Sequence, residues 1–192
     1  MQNVDLKHAY RLLNHGPTVL VGSAHNGRSN VMAAAWAMPL DFDTPKIAVV
    51  IDKSTLTREL VDASGVLSLC VPCVAMKDLV MAAGGMSGKN HTDKLTRCHI
   101  TTHAAAQTGV PLVDGCIAQM ECRVLPATAH VAGPHDLILA EVIGAWADER
   151  VFSDGRWHFE DAPAELRSLH HVAGGHFYAI GEPVRALPVV NA

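Results

Sequence analysis

The stretch from Gly16 to Asp52, GPTVLVGSAHNGRSNVMAAAWAMPLDFDTPKIAVVID, decides the fold class. Thr18 to Ala24 is rich in β-branched and apolar residues and reads as a strand. His25-Asn26-Gly27-Arg28 is hairpin-turn chemistry, and Asn30 to Leu40 continues as one small-residue apolar segment carrying a single indole, Trp36. Pro39 and Pro45 punctuate the stretch, and Lys46 to Ile51 is an apolar run of strand length. That run ends at Asp52-Lys53-Ser54-Thr55, where hydroxyl and charged residues suddenly concentrate. Such a change of chemistry at a strand end marks a candidate site.

Working outward, Leu6, Ala9, Tyr10 and Leu13 fall at i, i+3, i+4 and i+7, which predicts a short amphipathic helix before the quoted stretch. After it, Thr55 to Ala63 predicts a helix that Ser54 or Thr55 caps and Ser64-Gly65 stops, with Leu56, Leu60 and Val61 facing the core. Val66 to Val71 reads as a buried strand, Met76 to Ala83 as a helix halted by Gly84-Gly85, and Met86 to Asp93 as a polar, glycine-interrupted loop of the kind that touches ligands. Ile117 to Val124 alternates, with Ala118, Met120, Cys122 and Val124 on one face and Gln119, Glu121 and Arg123 on the other, so a half-buried antiparallel strand is expected. Leu137 to Trp146 should pair with it as a long hairpin after a turn at Gly133-Pro134-His135-Asp136. A further turn at Ser153 to Trp157, a helical turn within Ala162 to Leu169 and a last strand at Phe177 to Ile180 complete the reading. Many short strands with hairpin turns and a few helices predict a mainly β, antiparallel barrel with helical insertions. No repeat, low-complexity tract or linker divides residues 1–192, so one domain is expected.

Composition narrows the function. With 49% apolar and 18% charged residues, the chain is globular, and a net charge of −4 supplies no basic field for nucleic acid or anionic lipid. No leader-like or membrane-length apolar segment is present, so a soluble cytoplasmic protein working on small molecules is expected. Five cysteines are an odd number in a chain large enough to do without staples, and free thiols in a reducing compartment account for them. Cys70-Val71-Pro72-Cys73 is nonetheless a C-x-x-C and defines a rival, a dithiol redox protein. Twelve histidines, including His91, His99, His170, His171 and His176, are scattered and read as surface or hydrogen-bonding residues, with no metal site expected.

The ordered set Gly-Pro before a strand, Asn-Gly in a hairpin, Asn30 followed by Trp36, Pro45 before a buried strand, Asp52-Lys53-Ser54-Thr55-Leu56-Thr57, Ser87-Gly88 before Asp93-Lys94, and Gly174-Gly175-His176-Phe177-Tyr178 resembles the flavin reductase-like family, and within it the flavoredoxins. The resemblance runs over nearly the whole chain. It implies an FMN-binding split barrel that forms a homodimer with flavin at or near the subunit interface. By that resemblance Asn30, Ala33, Ala35 and Trp36 lie along the flavin, Lys53, Ser54 and Thr57 hold the ribityl phosphate, and Ser87, Gly88, Asp93 and Lys94 close over the cofactor. His171 falls close to the flavin, where relatives carry an aromatic ring.

Physical chemistry points the same way. Amide groups at a helix start, hydroxyls of Ser54, Thr55 and Thr57, and the cations Lys53 and Arg58 suit a phosphate dianion, while Trp36 suits a flat heterocycle. The same hydroxyl cluster, taken alone, is an ordinary helix cap. By the family resemblance, the expected function is that of an oxidoreductase moving electrons from NAD(P)H through bound FMN, or FAD, to free flavin, iron or a protein acceptor. No side chain is assigned as catalytic, because the flavin carries the electrons. No G-x-G-x-x-G fingerprint is present, so the nicotinamide is expected to dock transiently. An FMN-binding electron carrier without NAD(P)H turnover is the second alternative.

Overall fold

The computed structural model describes residues 1–187, and residues 188–192 of the expected domain lie outside the described residues. In chain order the elements are β1 (Gln2–Asn3), α1 (Leu6–Ala9), β2 (Val19–His25), β3 (Arg28–Ala34), β4 (Ala37–Phe42), β5 (Pro45–Val50), α2 (Leu56–Ser64) and β6 (Val66–Val71). Then follow α3 (Lys77–Gly85), α4 (Lys94–Arg97), β7 (Thr102–Ala104), β8 (Pro111–Val113), β9 (Ala118–Val124), α5 (Thr128–His135) and β10 (Leu137–Ala147). The hairpins β11 (Phe152–Ser153) with β12 (Arg156–Trp157) and β13 (Leu169–Ala173) with β14 (His176–Ala179) end the series.

Eight strands form one antiparallel sheet in the order β3-β2-β6-β9-β10-β5-β4, with β1 added on β10. The segment Asn30 to Leu40 is therefore not one strand. It breaks at Ala35-Trp36, and the two halves, β3 and β4, take the first and last places in the sheet. A link of only two residues between opposite edges obliges the sheet to curl into a barrel, while the absence of a ladder between β3 and β4 leaves that barrel split. Val50 N–H donates to the Trp36 carbonyl at 3.0 Å, which seats the link beside β5. Nothing in the local sequence announces this break, because neither Ala35 nor Trp36 is a turn former. The β2–β3 hairpin is as expected: Asn26 (φ 48°) and Gly27 (φ 75°) both take the left-handed conformation that a tight two-residue turn requires.

Alternating residues of β2 and β6 enter two apolar clusters. Val19, Val21, Leu67 and Leu69 join Ile47, Val49, Met120 and Ile138 inside the barrel, whereas Leu20 and Cys70 join Val31, Val80, Ala83, Ile100 and Leu112 in a second cluster under α3 and β8. Each fully buried aliphatic side chain contributes roughly 1.5–3 kcal/mol. Cover on both faces explains why Thr18 to Ala24 shows no polar alternation. It also corrects the expectation for β9, where Gln119 and Glu121 are buried rather than solvated. The 105–113 segment covers them: Gln119 Nε2 donates to the Val113 carbonyl at 2.7 Å, and Glu121 Oε1 accepts the Gln107 and Thr108 amides at 3.1 and 2.5 Å. Only Arg123 of that face is exposed. The presumed turn at Gly133 to Asp136 is instead the end of α5, closed by Asp136 in the left-handed conformation, although β9 and β10 do pair as expected.

Helix α2 begins where Thr55 Oγ1 accepts the Arg58 amide at 3.1 Å, and it ends at Gly65 with φ 70°. The β13–β14 hairpin is tied to the start of β2. Thr18 N–H donates to the Leu169 carbonyl and His171 N–H to Thr18 Oγ1, each at 2.8 Å, while His170 Nδ1 donates to the Gly16 carbonyl at 3.0 Å.

Candidate functional site

Two cavities adjoin strand β3. One, of about 350 Å³, lies against Ala33, Ala34 and Ala35 and is walled by Val80, Met81, Gly84 and Gly85 of α3 and by His171, Gly174 and Phe177 of the β13–β14 hairpin, with Thr18 beneath. The other, of about 440 Å³, lies against Gly27 to Asn30 and is walled by Leu56 at the start of α2 and by Gly88, Lys89 and His91 to Thr96. The first is apolar apart from Thr18 and His171. The second is polar and carries Arg28, Lys89 and Lys94.

The small side chains of the first cavity have a packing reason. A Cβ on Gly84 would sit 3.4 Å from Ala33 Cβ, about contact distance, so α3 at this point runs one small side chain away from β3. Gly84-Gly85, expected to halt α3, are instead its last two residues, and Thr18, Met81 and Phe177 line the cavity although no motif marks them for it. The glycine pair was the available signal, since glycines held within a helix expose backbone to whatever lies beside them. His171 packs its ring edge-on against Phe177, with centroids 5.2 Å apart, and both residues line this cavity.

The second cavity is built on an interlocked floor. Asn30 Nδ2 donates to Thr57 Oγ1 at 2.8 Å with both residues buried, and a Cβ at position 88 would stand 2.5 Å from Asn30 Oδ1 and 3.0 Å from Leu56 Cδ2. Only glycine fits there. Lys94 is 3% exposed, and its ammonium donates to the Ala83 carbonyl at 2.8 Å, tying the loop after α3 back to that helix. Burial holds the Lys94 ammonium below its ordinary pKa. No carboxylate among the described residues lies within ion-pair distance of it.

The structure thus brings Asn30, Thr57, Gly88 and Lys94 together, and Ala33, Ala35 and His171 together. Ser87 shapes the loop, its carbonyl accepting the Asn90 and His91 amides at 3.2 and 3.1 Å. Asp93 lines the second cavity but turns its carboxylate to Arg97 Nε at 2.8 Å, and that contact lowers its pKa. Lys53 and Ser54 are exposed on the approach to α2 and line neither cavity. Trp36 is 75% exposed and likewise lines neither. Arg58 does not face a phosphate. It is buried and binds Asp62, Asp136 and the carbonyls of Ile51 and Ala132 at 2.9–3.2 Å, which makes it a structural clamp between α2 and α5.

Behind the first cavity, His15 is packed against Trp157, Phe159 and His170 with ring centroids 5.3, 5.9 and 5.8 Å away, and its Nε2 meets Ser168 Oγ at 2.9 Å. Burial, with a smaller contribution from His170, pushes its pKa down to about 4. Cys70 and Cys73 are free and 0% and 2% exposed. Burial raises the Cys73 thiol, whereas at Cys70 burial is outweighed by hydrogen bonds from Cys116, the Val113 amide and Ser68, which lower it, but inside the core neither sulfur is open to a partner disulfide. His99 and His103, four residues apart, flank the step from α4 to β7 and share no helix.

This architecture is the split barrel of flavin reductase-like proteins, and residues 11–167 match the family described as flavin reductase like domain. The chain belongs to that family. Its fold superposes on the crystal structure of an FMN-binding domain of a flavin reductases-like enzyme from Shewanella baltica with a TM-score of 0.94, at 49% identity over 96% of each chain. It is 45% identical to the uncharacterized Escherichia coli protein YddH over 95% of this chain and 96% of that one. It is 27% identical to the FMN reductase (NADH) RutF of Variovorax paradoxus over 85% of this chain and 88% of that one.

Proposed function

We propose that this chain is one domain over residues 1–192 that binds FMN, with FAD as the alternative, and acts as an NAD(P)H-dependent flavin oxidoreductase in the cytoplasm. The observation that carries the reading is the pairing of cavities on one strand: an apolar, aromatic-walled space at one end of β3 and a cation-bearing, hydrogen-bonding space at the other. A ligand with a flat apolar head and an anionic polar tail satisfies both, and FMN has that shape. The names of the Shewanella and RutF relatives support the choice.

The chemistry present fits the group. Ala33, Ala35, His171 and Phe177 would hold the ring system and exclude water from it. Asn30, Thr57, Gly88 and Lys94 would bind the polar side chain, with Lys94 supplying the buried positive charge, and Lys53 and Ser54 would meet a phosphate at the start of α2. Bound flavin would supply hydride and electron transfer, and the chain's residues position and shield it. NAD(P)H, which has no dedicated fingerprint here, would dock transiently, and free flavin, iron or a protein would accept the electrons.

A homodimer belongs to the same proposal. Trp36, Met38, Leu40 and Phe42, at alternate positions from the β3–β4 link along the edge strand β4, are 48–75% exposed and form an apolar row that a second copy would cover. Among the described residues no helix is long and apolar enough to cross a membrane. Titrating purified protein with FMN and FAD, read by quenching of flavin fluorescence, tests the binding step. Saturable one-to-one uptake is expected, and no uptake of either flavin would reject the reading. A chain that takes up FMN but never oxidises NADH or NADPH would be the carrier instead.

A further inference from the structure

Among the residues lining the apolar cavity, Thr18 alone carries a hydroxyl. Thr18 is 3% exposed, lines the cavity, and has its backbone fixed by the bond from its amide to the Leu169 carbonyl. Its Oγ1 accepts the His171 amide at 2.8 Å, which occupies one lone pair on the side facing β13. A hydroxyl also has a proton to donate, and among the described residues no acceptor takes it. The remaining walls are Ala, Val, Met, Gly and Phe apart from His171, so they offer this proton no side-chain acceptor other than that imidazole. A buried donor without an acceptor costs free energy, and an acceptor arriving with the ligand would remove that cost.

We infer that the Thr18 hydroxyl donates a hydrogen bond to a carbonyl oxygen or ring nitrogen of the heterocycle bound in this cavity. Thr18 is thereby the residue that fixes which edge of the ring faces the β13–β14 hairpin. The inference rests on the flavin-binding reading above and adds to it a contact, a direction and a residue that the family pattern does not supply. Because the Thr18 oxygen also anchors His171, ligand binding and hairpin placement are coupled through one atom.

The test compares wild type with Thr18→Ser, which keeps the hydroxyl, and Thr18→Val, which keeps the shape but removes it. Lumiflavin, a ring without ribityl phosphate, and FMN serve as probes, with circular dichroism as the check on folding. The expected result is that Thr18→Val weakens both flavins by about three- to tenfold while Thr18→Ser stays within about twofold of wild type. In addition, the vibrational spectrum of the bound flavin should show a carbonyl or ring stretch displaced in Thr18→Val and unmoved in Thr18→Ser. A role confined to anchoring the hairpin would not move that band. Wild-type binding with no loss in Thr18→Val, or loss in Thr18→Val without a spectral shift, would overturn the inference and leave flavin binding standing. Failure of wild type to bind any flavin would overturn both.

Discussion

The two cavities on β3 are built by opposite means. The first is made by subtraction: alanines on the strand and glycines on α3 leave room, and only Thr18 and His171 bring polar groups to it. The second is made by interlocking, with Asn30 held by Thr57, Gly88 pressed on Asn30, and Lys94 bound to the end of α3. Subtraction produces a space that tolerates any flat apolar molecule of the right size. Interlocking produces a space in which each group's position depends on its neighbour, so charge and hydrogen bonding select there. Selection by shape at the ring end is therefore permissive, leaving orientation there to Thr18 and discrimination by charge to the polar end.

That contrast breaks most visibly at Gly88. Gly88→Ala places a methyl group on Asn30 Oδ1 at 2.5 Å, displacing the amide from Thr57, and FMN affinity should fall on the order of a hundredfold. Lumiflavin affinity should fall much less. Equal losses for the two probes would show that the cavities act as one.

Acid tests the other end. His15 stands behind the hairpin that walls the apolar cavity, and it is neutral in the folded chain, with its pKa pushed down to about 4. A depressed histidine contributes stability that is complete above its unfolded pKa of about 6.5 and is lost as pH falls toward its folded value, here about 3 kcal/mol in all. The melting temperature should drop between pH 7 and pH 4.5, and His15→Gln should flatten that part of the profile. Lumiflavin release over the same range should precede loss of secondary structure, and an unchanged slope in the variant would remove His15 from the account.

Thr57→Ala is a smaller change. It leaves the buried Asn30 amide without its acceptor and should weaken FMN about tenfold. Flavin titration of the variant measures this, and unaltered affinity would detach the Asn30–Thr57 pair from the cofactor. Cys73→Ser marks the small end of the scale. The sulfur is buried within the core and faces neither cavity, so flavin affinity and any flavin-dependent activity should stay within about twofold. Activity that vanished with Cys73 would favour the dithiol.

Much of this was legible in the residues. The strands β2, β5 and β6 and the helix α2 announce themselves through β-branched runs, Asn26-Gly27, Thr55 and Gly65, all of which act locally. The break at Ala35-Trp36 was not legible, because it is imposed by barrel closure rather than by any preference of alanine or tryptophan. The burial of Glu121 was hidden for a similar reason, its cover coming from the 105–113 segment, whose Gln107 and Thr108 amides both bond its Oε1. Within the site, Asn30, Gly88 and Lys94 could be named from the family pattern and converge, whereas Arg58 carries the right charge in the right stretch and spends it on Asp62 and Asp136. Charge near a helix start does not say which way a long side chain turns.

The most direct test of the account is the absorbance spectrum of FMN-loaded protein, recorded without oxygen before and after NADH or NADPH is added. Flavin bands in the visible should bleach on addition of one of the nicotinamides and return when oxygen or another acceptor is admitted. Flavin bands that persist in the presence of both nicotinamides would contradict the reductase, and a protein that carries no flavin band after reconstitution would contradict the site itself.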